Sequence, residues 1–118
     1  MQQNTGNIMA RVEFQQCVQD LQTCHDMCMQ MVEDERHASG EHGQSGHTSM
    51  LRDCARLCQV TAHFLQDNNP LYGYVTSACA QVTQHCSEEC QRMGDTDCAN
   101  ACQNAAWSLQ QISKLVQY

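Results

Sequence analysis

Two stretches of identical spacing decide the fold: Cys17-Val18-Gln19-Asp20-Leu21-Gln22-Thr23-Cys24-His25-Asp26-Met27-Cys28 and Cys79-Ala80-Gln81-Val82-Thr83-Gln84-His85-Cys86-Ser87-Glu88-Glu89-Cys90. In each, the cysteines stand seven and then four residues apart. Between and beyond them, Cys54 and Cys58 are four apart, as are Cys98 and Cys102. The order triple, pair, triple, pair reads as a duplicated helical hairpin. Spacings of four and seven return a side chain to one face of an α-helix, whereas a strand puts residues seven apart on opposite faces. The residues between the cysteines, mostly Gln, Met, Ala, Leu and Glu, are good helix formers.

The punctuation around these motifs predicts one domain over 1–118, with helices over about 7–36, 49–66, 70–93 and 95–117. Asn7 is a candidate cap for the first helix. The Gly/Ser/His-rich segment 37–48 is aperiodic and reads as a loop. Asp67-Asn68-Asn69 ends the second helix, Asn69-Pro70 opens the third, Gly94 closes it, and Asp95 or Thr96 caps the fourth. Mostly short connections imply antiparallel neighbours, so the expected fold is all-α: an up-down-up-down four-helix bundle with a cysteine-lined core.

At ~100° per residue, Cys17, Leu21, Cys24, Cys28 and Met31 share one line on the first helix, as do Cys79, Thr83, Cys86, Cys90 and Met93 on the third. The second helix contributes Met50, Cys54, Cys58, Thr61 and Leu65, and the fourth Cys98, Cys102, Ala105, Leu109 and Ile112. Sorted into layers, Cys28, Cys54, Cys90 and Cys98 lie above Cys24, Cys58, Cys86 and Cys102. Leu21, Thr61, Thr83 and Ala105 come next, then Cys17, Cys79, Leu65 and Leu109. Met31, Met50 and Met93 crown one end, and Leu109, Ile112 and Val116 plug the other.

The net charge of −7, from 13 acidic against 6 basic residues, argues against nucleic-acid binding or an anionic membrane surface. No apolar run approaches the ~20 residues of a membrane span, and the first residues lack a signal-peptide pattern, so the expected location is cytoplasmic. Leu, Ile, Val and Phe number only 18, a thin aliphatic core. Ten cysteines supply what is missing as small buried groups, as disulfides or as metal ligands.

Cysteines at i and i+4 have Cβ atoms ~5–6 Å apart, close enough for both sulfurs to reach one metal with bonds near ~2.3 Å. Thiolate and thioether donors together favour Cu(I) over hard cations. Zinc or a general metal buffer stays open, although zinc usually closes separate tetrahedral sites. Burying ten uncompensated thiolates is prohibitive, so a metal-free protein holds neutral thiols that release protons as metal binds. Charge balance puts the ceiling at about one Cu(I) per thiolate, about ten in all.

The paired Cys-x3-Cys motifs, with Cys-x6-Cys-x3-Cys on the first and third helices, resemble the bacterial copper storage proteins over about Cys17 to Cys102. The resemblance implies a homo-oligomeric, commonly tetrameric, four-helix bundle that holds many Cu(I) ions along its axis. It implies pairwise clamps at Cys24/Cys28, Cys54/Cys58, Cys86/Cys90 and Cys98/Cys102, with Cys17 and Cys79 as deeper ligands. That family's best-known members carry more cysteines, and the Leu21/Thr61/Thr83/Ala105 layer is a candidate break in the string.

The competing reading is a disulfide-stapled helical interaction module, since paired Cys-x3-Cys motifs also resemble the small mitochondrial import chaperones. An enzyme is not expected: Cys24-His25 and His85-Cys86 are sequence neighbours that point ~100° apart on a helix, which is no nucleophile–base pair. His37, His42 and His47 read as solvated loop residues or metal recruiters, and His25, His63 and His85 as lying off the inward stripe. Met31, Met50 and Met93 are either gap fillers or the copper-loading end. Trp107, Phe14, Phe64 and Tyr74 read as packing or interface residues.

Overall fold

A computed structural model of the chain describes residues 2–39 and 46–115, with side chains over 12–37 and 46–115. Four helices follow one another: α1 Gln2–Ser39, α2 Gly46–Gln66, α3 Tyr72–Arg92 and α4 Thr96–Leu115. There is no strand among the described residues. Each helix packs against two others: α1 lies between α2 and α4, and α3 lies between the same two. The pairs α1/α3 and α2/α4 face each other diagonally, as an antiparallel up-down-up-down bundle requires. The molecule is 58 Å long and 22 × 21 Å across.

Asn7 lies inside α1 rather than at its start. Helical backbone also reaches Ser39 and resumes at Gly46, which narrows the connection to 40–45. The physical reason is on the inner side of α2. The Thr48 hydroxyl donates to the Glu35 carboxylate, and the His47 ring is packed inward, so this segment is held against α1. His42 lies outside the described residues, as does Val116 of the expected plug.

Two turns are built alike. Asn68, at φ 53°, ends α2, with its N–H on the Leu65 carbonyl and that of Asn69 on the Phe64 carbonyl. Gly94, at φ 82°, ends α3, with its N–H on the Gln91 carbonyl and that of Asp95 on the Cys90 carbonyl. Both are six-to-one, five-to-two closures in which a left-handed residue satisfies carbonyls the helix leaves open. Asn69 does cap the next segment, its side chain accepting the Leu71 N–H at 2.8 Å, but regular helix begins only at Tyr72. Pro70 sits in the turn between them.

The core consists of thiols and small residues more than of large aliphatics. All ten cysteines are buried, each at most 1% exposed. Leu21, Thr61, Thr83 and Ala105 are fully buried beside them. Ala55, Ala62, Ala99 and Ala106 are also buried and let the helices approach closely. Seams are fastened by side chains: Ser87 donates to the Ala99 carbonyl across α3 and α4 at 2.8 Å, and Ser108 of α4 donates to Asp20 of α1.

At the end away from the α1–α2 connection, Leu65, Leu109 and Ile112 are buried and contain no thiol. Phe14 of α1 and Tyr72 of α3 meet edge to face across the diagonal, their ring centroids 5.0 Å apart. This contact closes the floor of the bundle.

Candidate metal centre

Helical phase brings the cysteines together. Cys24 and Cys28 on α1 face Cys54 on α2 and Cys102 on α4, and these four sulfurs lie within 4.8 Å of one another. The Cys24 thiol donates to the Cys102 sulfur at 3.4 Å. Cys28 Sγ is 3.7 Å from Cys102 Sγ, 3.9 Å from Cys98 Sγ and 4.0 Å from Cys86 Sγ. Sulfur separations of this size are contacts between free thiols; a disulfide bond is ~2.05 Å long.

These separations match what a soft metal needs. With bonds near ~2.3 Å, a three-coordinate ion holds its sulfurs ~4.0 Å apart and a two-coordinate ion ~4.6 Å apart. The spacings of 3.7 to 4.0 Å from Cys28 to three other sulfurs are near the three-coordinate value. Cys28 thus touches sulfurs on both α3 and α4.

The thiols form one electrostatically connected chain. Cys90 interacts with Cys86 and Cys98. Cys58 interacts with Cys24, Cys54 and Cys79, and Cys79 in turn lies close enough to raise Cys17. The fully buried Leu21/Thr61/Thr83/Ala105 layer lies between Cys24 and Cys86 on one side and Cys17 and Cys79 on the other. Within it, the Thr83 hydroxyl donates to the Cys79 carbonyl at 2.8 Å, while the buried Thr61 hydroxyl has no hydrogen-bond partner.

Burial and hydrogen bonds between thiols together set the protonation of the string. The Cys17 thiol is held above its ordinary range by desolvation, then by Cys79, Asp20 and Glu13, all of which oppose a negative sulfur. Hydrogen bonds with Cys24, Cys54 and Cys79, and then burial, raise Cys58. Cys90 is pushed up to about 12: its hydrogen bond with Cys86 pulls it down, and Cys98 together with burial outweighs that. Cys28 and Cys54 go the other way, through hydrogen bonding first with Cys102 and then with Cys24. Within the four-sulfur group the directions divide, with Cys24 and Cys102 raised and Cys28 and Cys54 lowered, so these thiols share protons among themselves.

The methionines are less uniform. Met31 and Met50 are partly buried and pack on the core. Met93 is 53% exposed, because α3 stops at Arg92 and Met93 belongs to the turn that Gly94 completes. Of the histidines, His63 and His85 are exposed, as is His37, whose Nε2 is 3.8 Å from Glu33. His25 sits on a helix flank with Nδ1 2.9 Å from Asp26. His47 is different: it is half-buried in the first turn of α2, its side chain 10% exposed, near Glu35 and Asp95. Sequence reading missed that cluster, since only the tertiary fold unites these three segments. The one available signal was that His47 and Thr48 directly follow the Gly/Ser loop.

Comparison with known proteins gives a consistent result. The uncharacterized cysteine-rich protein YhjQ of Bacillus subtilis (strain 168) is 25% identical over 92 residues, covering 78% of this chain and 81% of that protein. The crystal structure of the Nmul_A1745 protein from Nitrosospira multiformis superposes with a TM-score of 0.78 at 21% identity. It covers 88% of this chain and 97% of the other, and shows the same fold. The family described as copper storage protein matches residues 10–115, and this chain belongs to it.

Proposed function

We propose that this protein stores or buffers several Cu(I) ions on the thiolates of Cys17, Cys24, Cys28, Cys54, Cys58, Cys79, Cys86, Cys90, Cys98 and Cys102. The observation that carries this reading is the single buried string of sulfurs, whose central contacts of 3.7 to 4.0 Å suit three-coordinate soft metal. Each Cu(I) that binds replaces thiol protons and neutralises the thiolate that remains, so metal removes the desolvation cost that keeps the empty string protonated. The ceiling by charge balance is about ten ions. Ten buried thiols gathered on four helices suit storage of many ions better than catalysis at one.

Copper loads from the end bearing Met31, Met50 and Met93, where thioethers offer weak, exchangeable ligands before the thiolates take over. Ions then settle first at Cys24, Cys28, Cys54 and Cys102, whose four sulfurs lie within 4.8 Å of one another. The cytoplasm, which keeps thiols reduced, is the setting this chemistry requires. Exposed Leu71, Tyr74 and Trp107 support assembly into a homo-oligomer.

Titration of the reduced, metal-free protein with Cu(I) against a competing chelator tests the proposal. Saturation at several equivalents is expected, and saturation at zero or one equivalent rules it out. A zinc buffer is the second reading, favoured by the four sulfurs within 4.8 Å. Equal concentrations of Zn2+ and Cu(I) separate the two, because a soft-metal store keeps its copper.

A further inference from the structure

Above the thiols, three carboxylate and imidazole groups from separate parts of the chain meet at the mouth of the bundle. Glu35 comes from the end of α1, His47 from the start of α2 and Asp95 from the turn between α3 and α4. His47 Nε2 is 3.3 Å from Glu35 Oε1 and 3.6 Å from Asp95 Oδ2. The His47 side chain is only 10% exposed, both of its ring nitrogens are shut off from solvent, and neither makes a hydrogen bond. Buried polar groups are rarely left in that condition.

A donor atom from each of these three side chains lies within 4.8 Å of the others. The Thr48 hydroxyl holds Oε2 of Glu35 and leaves Oε1 facing the imidazole. Outer hydrogen bonds of this kind orient carboxylate ligands at metal sites. The donor set differs in kind from the string below it. Thiolates select Cu(I), whereas one imidazole with two carboxylates suits a borderline divalent cation.

We propose that Glu35, His47 and Asp95 form a site for one borderline divalent transition cation, chemically distinct from the thiol string. A cation there neutralises the two carboxylates, gives the orphaned imidazole nitrogen a partner, and pins α1, α2 and the α3–α4 turn together at the mouth. The Asp95 N–H bonds the Cys90 carbonyl at 2.8 Å, so the site joins the upper rim of the string directly.

The experiment is a Co2+ titration of the reduced protein, followed through the ring resonances of His47 and through visible absorption. The expected result is a shift or broadening of the His47 signals that saturates at one equivalent, with cobalt bands that lack thiolate charge transfer. Glu35→Gln and Asp95→Asn should each weaken this binding by at least ~10-fold, and His47→Gln should abolish it, with the helical circular dichroism spectrum retained. His47 resonances that stay unmoved through a tenfold excess of Co2+ overturn the proposal, as does cobalt absorption arising only from thiolates. An identical His47 response in the Glu35→Gln and Asp95→Asn proteins also overturns it. If a variant fails to fold, the His47 response of the unaltered protein decides alone.

Discussion

The two halves of this bundle are built from different materials on the same four helices. Towards the α1–α2 connection, eight cysteines are buried, and the sulfurs of Cys24, Cys28, Cys86, Cys98 and Cys102 make contacts across helices. Towards the other end, Cys17 and Cys79 are accompanied by Leu65, Leu109 and Ile112, and Phe14 on Tyr72 closes the floor. Thiol contacts and sparse small residues contribute little hydrophobic stabilisation, so the aliphatic end carries more of the metal-free fold. The thiol end gains its stability when metal arrives. Division of labour along the axis lets one half give up protons and take metal while the other holds the helices in register.

The largest expected effect breaks the thiol half. Replacing Cys24, Cys28, Cys54 and Cys102 together by Ala removes the four sulfurs that lie within 4.8 Å of one another, and should lower Cu(I) capacity by about four equivalents. Replacing Cys17 and Cys79 should remove about two, and leave the first ions to bind as before. Equal losses from the two variants, measured by chelator competition, would erase the distinction.

The reverse experiment attacks the plug. Ile112→Ala empties a fully buried site and should cost ~2–5 kcal/mol in urea unfolding of the metal-free protein, with Cu(I) stoichiometry unchanged. A loss of capacity in a folded Ile112→Ala protein would mean that the aliphatic end takes part in binding.

Protonation separates the metal-free and loaded forms further. Because Cys17 is raised and Cys90 is pushed up to about 12, the folded chain keeps protons that the unfolded chain releases above ~8.5. Their contribution is therefore complete below pH ~8.5 and disappears as pH rises towards about 12, at about 1.4 kcal/mol per pH unit for each such thiol. Melting temperature of the metal-free protein should fall over that window; a rise would reverse the sign of the argument.

The smallest effect compares the two turns. Gly94→Ala meets no steric obstacle, yet it puts a Cβ on a residue at φ 82° and should cost ~1 kcal/mol. Asn68→Gly, at φ 53°, should be neutral or slightly stabilising, since Asn already tolerates this conformation. Thermal unfolding of the two variants checks the pair.

The spacing of four and seven was enough to read the helices and their inward stripe, because helical periodicity is local information. Gly94 and Asn68 were legible for the same reason: each marks a turn through its own backbone preference. Long-range placement was not legible in this way. Nothing in the order of residues says that Cys28 meets Cys86 and Cys98 on two other helices, since that depends on how closely the helices approach. Nor does it say that Met93 turns out to solvent, because the helical line ends one residue too early for it. His47 was read with a loop, and its burial follows from contacts made by Glu35 and Asp95, 12 residues before it and 48 after.

The most direct test of the account is a crystal structure of the Cu(I)-loaded protein with anomalous data collected at the copper edge. Copper peaks should be strung along the bundle axis, densest among Cys24, Cys28, Cys54 and Cys102 and continuing past Cys58 to Cys79. Peaks confined to surface histidines and methionines, with the interior sulfurs free of metal, would contradict it.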